Sequence, residues 1–334
     1  LLGIDNCLPC FHGSQGCTAF GLVLMVRHFR EAIPLQTTAM DQVQTILGGY
    51  ENLEAAVLTM YERNTPEIIG VCTTGLTETK GEDMQGALAT FRKKHPEIAA
   101  KCNLVFINTP DFTGGLEDGF ANTVTAVIES LVSPAEMKVS GRVNVLAGSH
   151  LTPGDVEEIR DLVEGFGLSP VILPDLSTSM GGRQPDDFKA TTLGGVTVSE
   201  IKGMGAAVLT LAIGEHMRKP AQVLERKTGV PFKLFDRLVG TMFRKAEGQH
   251  ARAFQADGRA INDKVRLYAK VGAALIDAHN GQRDAFAAIA GVIPWERFRA
   301  SVAEAEALAR GEEFDAFQML GEHYAGVRRW APAF

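Results

Sequence analysis

No run of this 334-residue chain approaches the roughly 18 consecutive apolar residues that a bilayer-crossing helix needs. The most apolar stretch, Phe20–Val26, is closed by Arg27 and His28, and it reads as a buried helix rather than an anchor. No signal-peptide pattern is visible at the start of the sequence. Cysteines number five, an odd total unevenly placed. That excludes a regular disulfide framework and makes a reducing cytoplasm the expected compartment. A strongly basic region is missing too. Net charge is −7, divided as +2 over residues 237–334 and −9 over the remainder. Neither part offers the basic face that nucleic-acid phosphates demand.

Reactive signatures are equally sparse. The sequence contains no Walker-type lysine loop and no His-Glu-x-x-His. "GMGAAV" (Gly203–Val208) precedes a strand pattern instead of following one, and lacks the third glycine of a dinucleotide loop. Gly-Glu-His occurs at Gly214–His216 and again at Gly321–His323, without metal-ligand spacing. No nucleophile–base pair emerges, so no catalytic residue is assigned.

What the chain does contain, up to about Asp236, is alternation. "EIIGVCTT" (Glu67–Thr74), "NLVFIN" (Asn103–Asn108), "RVNVLAG" (Arg142–Gly148), "PVILPD" (Pro170–Asp175), "AAVLTLAI" (Ala206–Ile213) and "PFKLFD" (Pro231–Asp236) read as buried strands. Helical patterns lie between them. Thr152-Pro153-Gly154-Asp155 supplies a hydroxyl N-cap, a proline at the first helical position and an acid in the first turn; Gly165 and Gly167 are placed to stop that helix. Strand–helix–strand repetition predicts an α/β fold of doubly wound parallel sheets, with sites at the carboxyl ends of strands. Ser133–Arg142 reads as a linker, dividing a first α/β domain (1–135) from a second (142–236). From residue 237 to 334 strand-like runs vanish and amphipathic helical stripes take over, predicting an all-α segment.

One cluster could carry metal chemistry: Cys7, Cys10, His12 and Cys17 fall within eleven residues, "CLPCFHGSQGC". Cys17 follows Gly13 and Gly16 and opens an apolar helical run, where free amides and the helix dipole favour a thiolate. Glycines beside it allow backbone to approach a bulky cluster. A thiol so placed is also common as a purely structural residue. Cys7 and Cys10 form a Cys-x-x-Cys that Pro9 and the glycines place on a loop, with no second pair to complete a zinc site. His12 reads as a hydrogen-bonding loop residue; Cys72 and Cys102 read as inert strand thiols.

"HGSQGCTAF", followed by "VRHFRE", "IPLQTTAMDQV", "TTGLTET" and "NTPDF", resembles the NifN family, β-type subunits of the scaffold on which the nitrogenase iron–molybdenum cofactor is matured. The resemblance runs from Leu1 to about Asp236. It implies a non-catalytic, cytoplasmic subunit of a heterotetramer with a NifE-type partner, visited by the nitrogenase iron protein and by donors of cofactor precursor. It implies that Cys17 ligates a [4Fe–4S] cluster shared with that partner, which also holds most of the iron–molybdenum cofactor precursor. Cys7 and Cys10 lie where the family uses no ligands. In the related nitrogenase molybdenum–iron protein β subunit, an oxidoreductase, two further cysteines serve a larger cluster; here those positions are Leu35 and Gly75, which disfavours the enzyme. Beyond Arg237–Val239, the chain is similar to an internal helical stretch of Tn3-family transposases, so the scaffold homology is expected to be truncated there. Its near-neutral charge argues against a nucleic-acid role for that stretch.

Overall fold

The structure, a computed structural model, describes residues 1–29, 31–181 and 189–235. The expected transposase-like helices lie outside the described residues. The first half runs β1 (Cys7–His12), α1 (Gln15–His28), β2 (Gln36–Thr37), α2 (Gln42–Leu47), α3 (Tyr50–Asn64), β3 (Ile68–Thr73), α4 (Gly75–Lys80), α5 (Met84–Lys94), α6 (Pro96–Ala99), β4 (Asn103–Ile107) and α7 (Leu116–Leu131). The second runs β5 (Arg142–Leu146), α8 (Pro153–Gly165), β6 (Ser169–Leu173), α9 (Leu176–Ser179), α10 (Val198–Lys202), β7 (Leu209–Ile213), α11 (Arg218–Thr228) and β8 (Phe232–Phe235).

The strands form two four-stranded parallel sheets, ordered β2-β1-β3-β4 and β6-β5-β7-β8. The expected doubly wound α/β class is therefore observed. Alternate residues of the first sheet feed two cores. Cys7, Ile68, Cys72, Val105 and Ile107 pack with α7 and the second sheet's apolar face. Leu8, Cys10, Ile69, Val71 and Leu104 pack on the opposite side against Leu53 and Val57 of α3 and Leu88 and Phe91 of α5. Strands apolar on both faces are what a parallel sheet covered on both sides requires. Helix ends also follow the sequence: Thr152 Oγ1 accepts from Asp155 N, Pro153 opens α8, and Gly167 takes a positive φ of 72° beyond its end.

The two sheets are tied through the segment before α10. Thr192 donates its N–H to the Cys7 carbonyl (3.0 Å), and its hydroxyl accepts from Cys7 N (2.7 Å). Val196 and Asp5 extend the same pairing.

Two expectations fail. Cys7–His12 is not a loop but an internal strand, buried along nearly its whole length. Pro9 is tolerated because of parity. Cys7 and Phe11, two residues to either side, bond away from β3, toward Thr192 and Thr38. Pro9 faces the same way, between those partners, so its missing N–H costs the β1–β3 ladder nothing. The second failure is α1. Its apolar run is not buried: Phe20 is 71% exposed and Leu24 58%, and within the helix only Thr18 is buried.

That contrast is testable. Phe91→Ala, at a fully sealed position, should cost about 3–5 kcal/mol. Phe20→Ala should change the stability of the isolated chain by no more than about 0.5 kcal/mol. Urea unfolding of the two full-length variants measures both.

Candidate functional site

In parallel sheets every strand delivers its following segment to one edge, and in the first sheet the order reverses between β1 and β3. The segment leaving β1 is Gly13-Ser14, then α1 with Cys17 in its first turn; the segment leaving β3 is Thr74, then α4 beginning at Gly75. They touch. A side chain at Gly13 would overlap Thr74, so glycine there is imposed by the close approach of this chain's own segments. Gly16 is different. A Cβ added to it would meet nothing nearer than Ser14 Oγ at 3.9 Å, leaving the approach beside Cys17 open.

Ser14 occupies the N-cap of α1 but makes no side-chain capping bond; its hydroxyl lies 3.5 Å from Cys17 Sγ instead. No acidic residue occupies the first turn. The helix start thus keeps its electropositive end for a ligand outside the turn. The Thr18 hydroxyl, next in sequence, is buried with no hydrogen-bond partner.

Among the five cysteines, Cys17 alone is not buried. Burial pushes the Cys7 and Cys102 thiols up to about 12 and Cys72 to about 11, and raises Cys10 as well. These four are protonated, sealed side chains, as expected for Cys72 and Cys102, and nothing brings Cys7 and Cys10 together with Cys17 as a ligand set. Among the described residues no group of three His, Cys, Asp or Glu is arranged to hold a metal ion. A single thiol left unburied at a glycine-lined, uncapped helix start fits one ligand of a shared cluster and not a complete site.

The flank carrying Cys17 continues through Phe20 and Leu24, three and seven residues on, both exposed. Exposed apolar side chains recur on α2, at Val43, Ile46 and Leu47, and on the segment leaving β4, at Phe112 and Leu116. All follow carboxyl ends of strands in the same sheet. Together they rim the edge with surface that a monomer would ordinarily cover.

A polar network that sequence reading missed lies just behind. His12 ends β1 with its side chain sealed from solvent; Nε2 is 2.7 Å from Glu82 Oε2, and Nδ1 is 3.1 Å from Thr38 Oγ1. Glu82 Oε1 also accepts from Gly49 N (2.7 Å) and Lys80 Nζ (3.1 Å). The separation of 70 residues between His12 and Glu82 left no local signal of the pair. Leu35 is buried. At Gly75 the carboxylate of exposed Asp111 lies in the space a Cβ would enter, so a side chain there would have to displace it.

The family model for nitrogenase component 1 type oxidoreductases matches residues 1–242. The chain belongs to that family. The nitrogenase iron-molybdenum cofactor biosynthesis protein NifN of Bradyrhizobium diazoefficiens is 48% identical over 282 residues, covering 83% of this chain and 60% of that protein. The protein of the same name from Nostoc sp. is 47% identical over 239 residues, covering 72% and 53%. A solved structure titled "Nitrogenase Cp1 at pH 6.5" superposes with a TM-score of 0.66 at 33% identity, over 70% of this chain and 51% of that one. The chain thus spans between half and two thirds of the length of the relatives it matches. The Bradyrhizobium match takes in more of the chain than residues 1–242, so it enters the segment expected to be foreign.

Two outcomes follow for this edge. Brief treatment of the reduced full-length chain with iodoacetamide should modify Cys17 first and leave the other four thiols unmodified until unfolding, as read by peptide mass spectrometry. The His12 network should make stability fall on acidification. Burial holds His12 below its ordinary value of 6.5 against the opposing pull of Glu82. Burial alone would raise Glu82, but the bonds from His12, Lys80 and Gly49 bring it below its ordinary 4.5. A group depressed in the fold stabilises above its unfolded value and loses that contribution as pH falls. The melting temperature should therefore be level between about pH 6.5 and pH 8 and drop below that range, with Glu82 adding to the loss below about pH 4.5. His12→Gln should flatten the upper part of that drop. His216, also lowered by burial, is common to both proteins and cancels in the comparison.

Proposed function

We propose that this chain is a β-type subunit of the scaffold complex for nitrogenase iron–molybdenum cofactor biosynthesis, contributing Cys17 to a [4Fe–4S] cluster shared with a NifE-type partner. The observation that carries the reading is the isolation of Cys17: one open thiol, on an uncapped helix start, beside an uncovered apolar flank. Four thiolate ligands are the usual requirement of such a cluster, so the partner supplies the others. When bound, the cluster supplies one-electron redox chemistry. In this reading the chain's own part is to hold one sulfur and to offer the α1 flank, α2 and Phe112–Leu116 as the contact surface. The wider partnership, a heterotetramer served transiently by the nitrogenase iron protein and by precursor donors, belongs to the same proposal. So do a cytoplasmic location and a precursor held mainly by the partner.

An oxidoreductase subunit of the molybdenum–iron protein type is the second reading, favoured by the family description alone. It is weakened by Leu35, which is buried and cannot ligate iron, and by Gly75, whose side-chain space holds the Asp111 carboxylate. For the carboxyl-terminal segment, a transposase-like origin rests on the resemblance alone, against a Bradyrhizobium match that reaches into it, and we assign it no nucleic-acid function.

Co-expression of the full chain with a NifE-type subunit under anaerobic conditions, followed by iron analysis of the purified pair, tests the proposal. Cys17→Ala and Cys17→Ser should each lower iron per pair by about one cluster's worth. Unchanged iron would refute it. Substrate reduction by the wild-type pair would favour the second reading.

A further inference from the structure

We infer that His12 and Thr38 are positioning residues for Cys17: the buried imidazole aims the Thr38 hydroxyl so that it clamps Gly13, at the start of the bend that presents the thiol. The inference rests on the reading of Cys17 as an iron ligand.

Proton counting gives the direction of each bond. The Glu82 carboxylate only accepts, so a neutral imidazole carries its proton on Nε2, 2.7 Å away, and leaves Nδ1 as an acceptor. Thr38 Oγ1, 3.1 Å from Nδ1, then donates its one proton to the ring, the nearer acceptor, rather than to the Gly13 carbonyl at 3.5 Å. A lone pair of the same oxygen receives the Gly13 N–H at 3.1 Å. Glu82 thus selects the tautomer, the tautomer orients the hydroxyl, and the hydroxyl holds Gly13. Burial, which disfavours imidazolium, keeps this arrangement.

Carbonyls on the same stretch are held as firmly. The His12 carbonyl accepts from the Thr74 and Thr77 hydroxyls (3.0 and 3.2 Å), and the Gly13 carbonyl accepts from Met40 N–H (2.9 Å). From Ser14 onward the side-chain support stops: α1 has no capping bond, and Cys17 Sγ has the Ser14 hydroxyl beside it. The place of the sulfur is inherited from Gly13 and from the bridge of Ser14 to Met40.

Cys17 alkylation on the ligand-free, reduced, full-length chain reads this directly, because the other four thiols are sealed. Thr38→Val deletes the hydroxyl at nearly constant volume and should raise the Cys17 labelling rate above wild type, because the half-buried sulfur turns outward more often once Gly13 is no longer held. Thr38→Ser, which keeps the hydroxyl, should restore the wild-type rate. His12→Gln retains a donor for Glu82 but no acceptor at the Nδ1 position and should behave like Thr38→Val. If His12→Gln does not accumulate, the Thr38 pair carries the test. Wild-type labelling in Thr38→Val would overturn the inference, even with a lowered melting temperature, since that outcome marks a residue that only fills the core. Faster labelling that Thr38→Ser fails to correct would overturn it too. In the co-expressed pair, Thr38→Val should also alter the electron paramagnetic resonance signal of the reduced cluster. Failure of the cluster reading would show separately, as unchanged iron in Cys17→Ala, because labelling rates are read on the chain alone.

Discussion

An imidazole sealed from water has to find its hydrogen bonds inside the protein, and the carboxyl edge of the first sheet is arranged around that need. His12 cannot be satisfied by β1 or its strand neighbours, whose side chains here are apolar or short. It draws Glu82 from the turn after α4 and Thr38 from the segment after β2. Glu82, once committed, also closes the turn between α2 and α3 through Gly49 and fixes Lys80. Lys80 in turn donates to the Gln44 carbonyl within α2. Five separate segments therefore share one polar knot. A half-satisfied version would cost more than an apolar one, which makes the knot rigid.

Rigidity behind the edge contrasts with incompleteness in front of it. The apolar run of α1 turns Thr18, Gly21, Leu22 and Met25 toward the body, with Gly21 admitting Phe11 at 3.0 Å from where a Cβ would stand. Phe20, Val23 and Leu24 are left outside. A helix apolar all round is normally buried on every side. The same helix carries the single open thiol, and one thiol cannot complete a cluster. Two independent deficits, of apolar cover and of ligands, thus fall on one element, and a second subunit seated there would meet both.

Much of this was legible in the sequence where one local pattern decides the outcome. Six of the eight strands and the cap of α8 were readable because β-branched runs and Thr-Pro-x-Asp determine conformation over a few residues. Strand β1 was hidden because its residues, two cysteines, a proline and a histidine, are poor strand formers individually, and only the parity of its bonding explains why Pro9 is harmless. Strand β2, two residues long, leaves no periodicity to detect. For α1 the error was of another kind: hydropathy reports that a face dislikes water, not which molecule covers it. The His12–Glu82 pair was invisible for the opposite reason, being a contact between residues far apart along the chain.

Leu35 and Gly75, where the resemblance sets the enzyme subunit's further cysteines, offer no ligand atom to a metal. At Gly75 the Asp111 carboxylate, from the segment after β4, lies where a Cβ would stand. At Leu35 a buried hydrocarbon stands where a thiolate would have to be desolvated and paired. Both residues are stable in the absence of iron, whereas a buried unpaired thiolate is not. Cys17 is not under that constraint, because it is the one cysteine left unburied. An edge built this way tolerates both the empty and the loaded condition, which is what a subunit must do if its metal is completed by another chain.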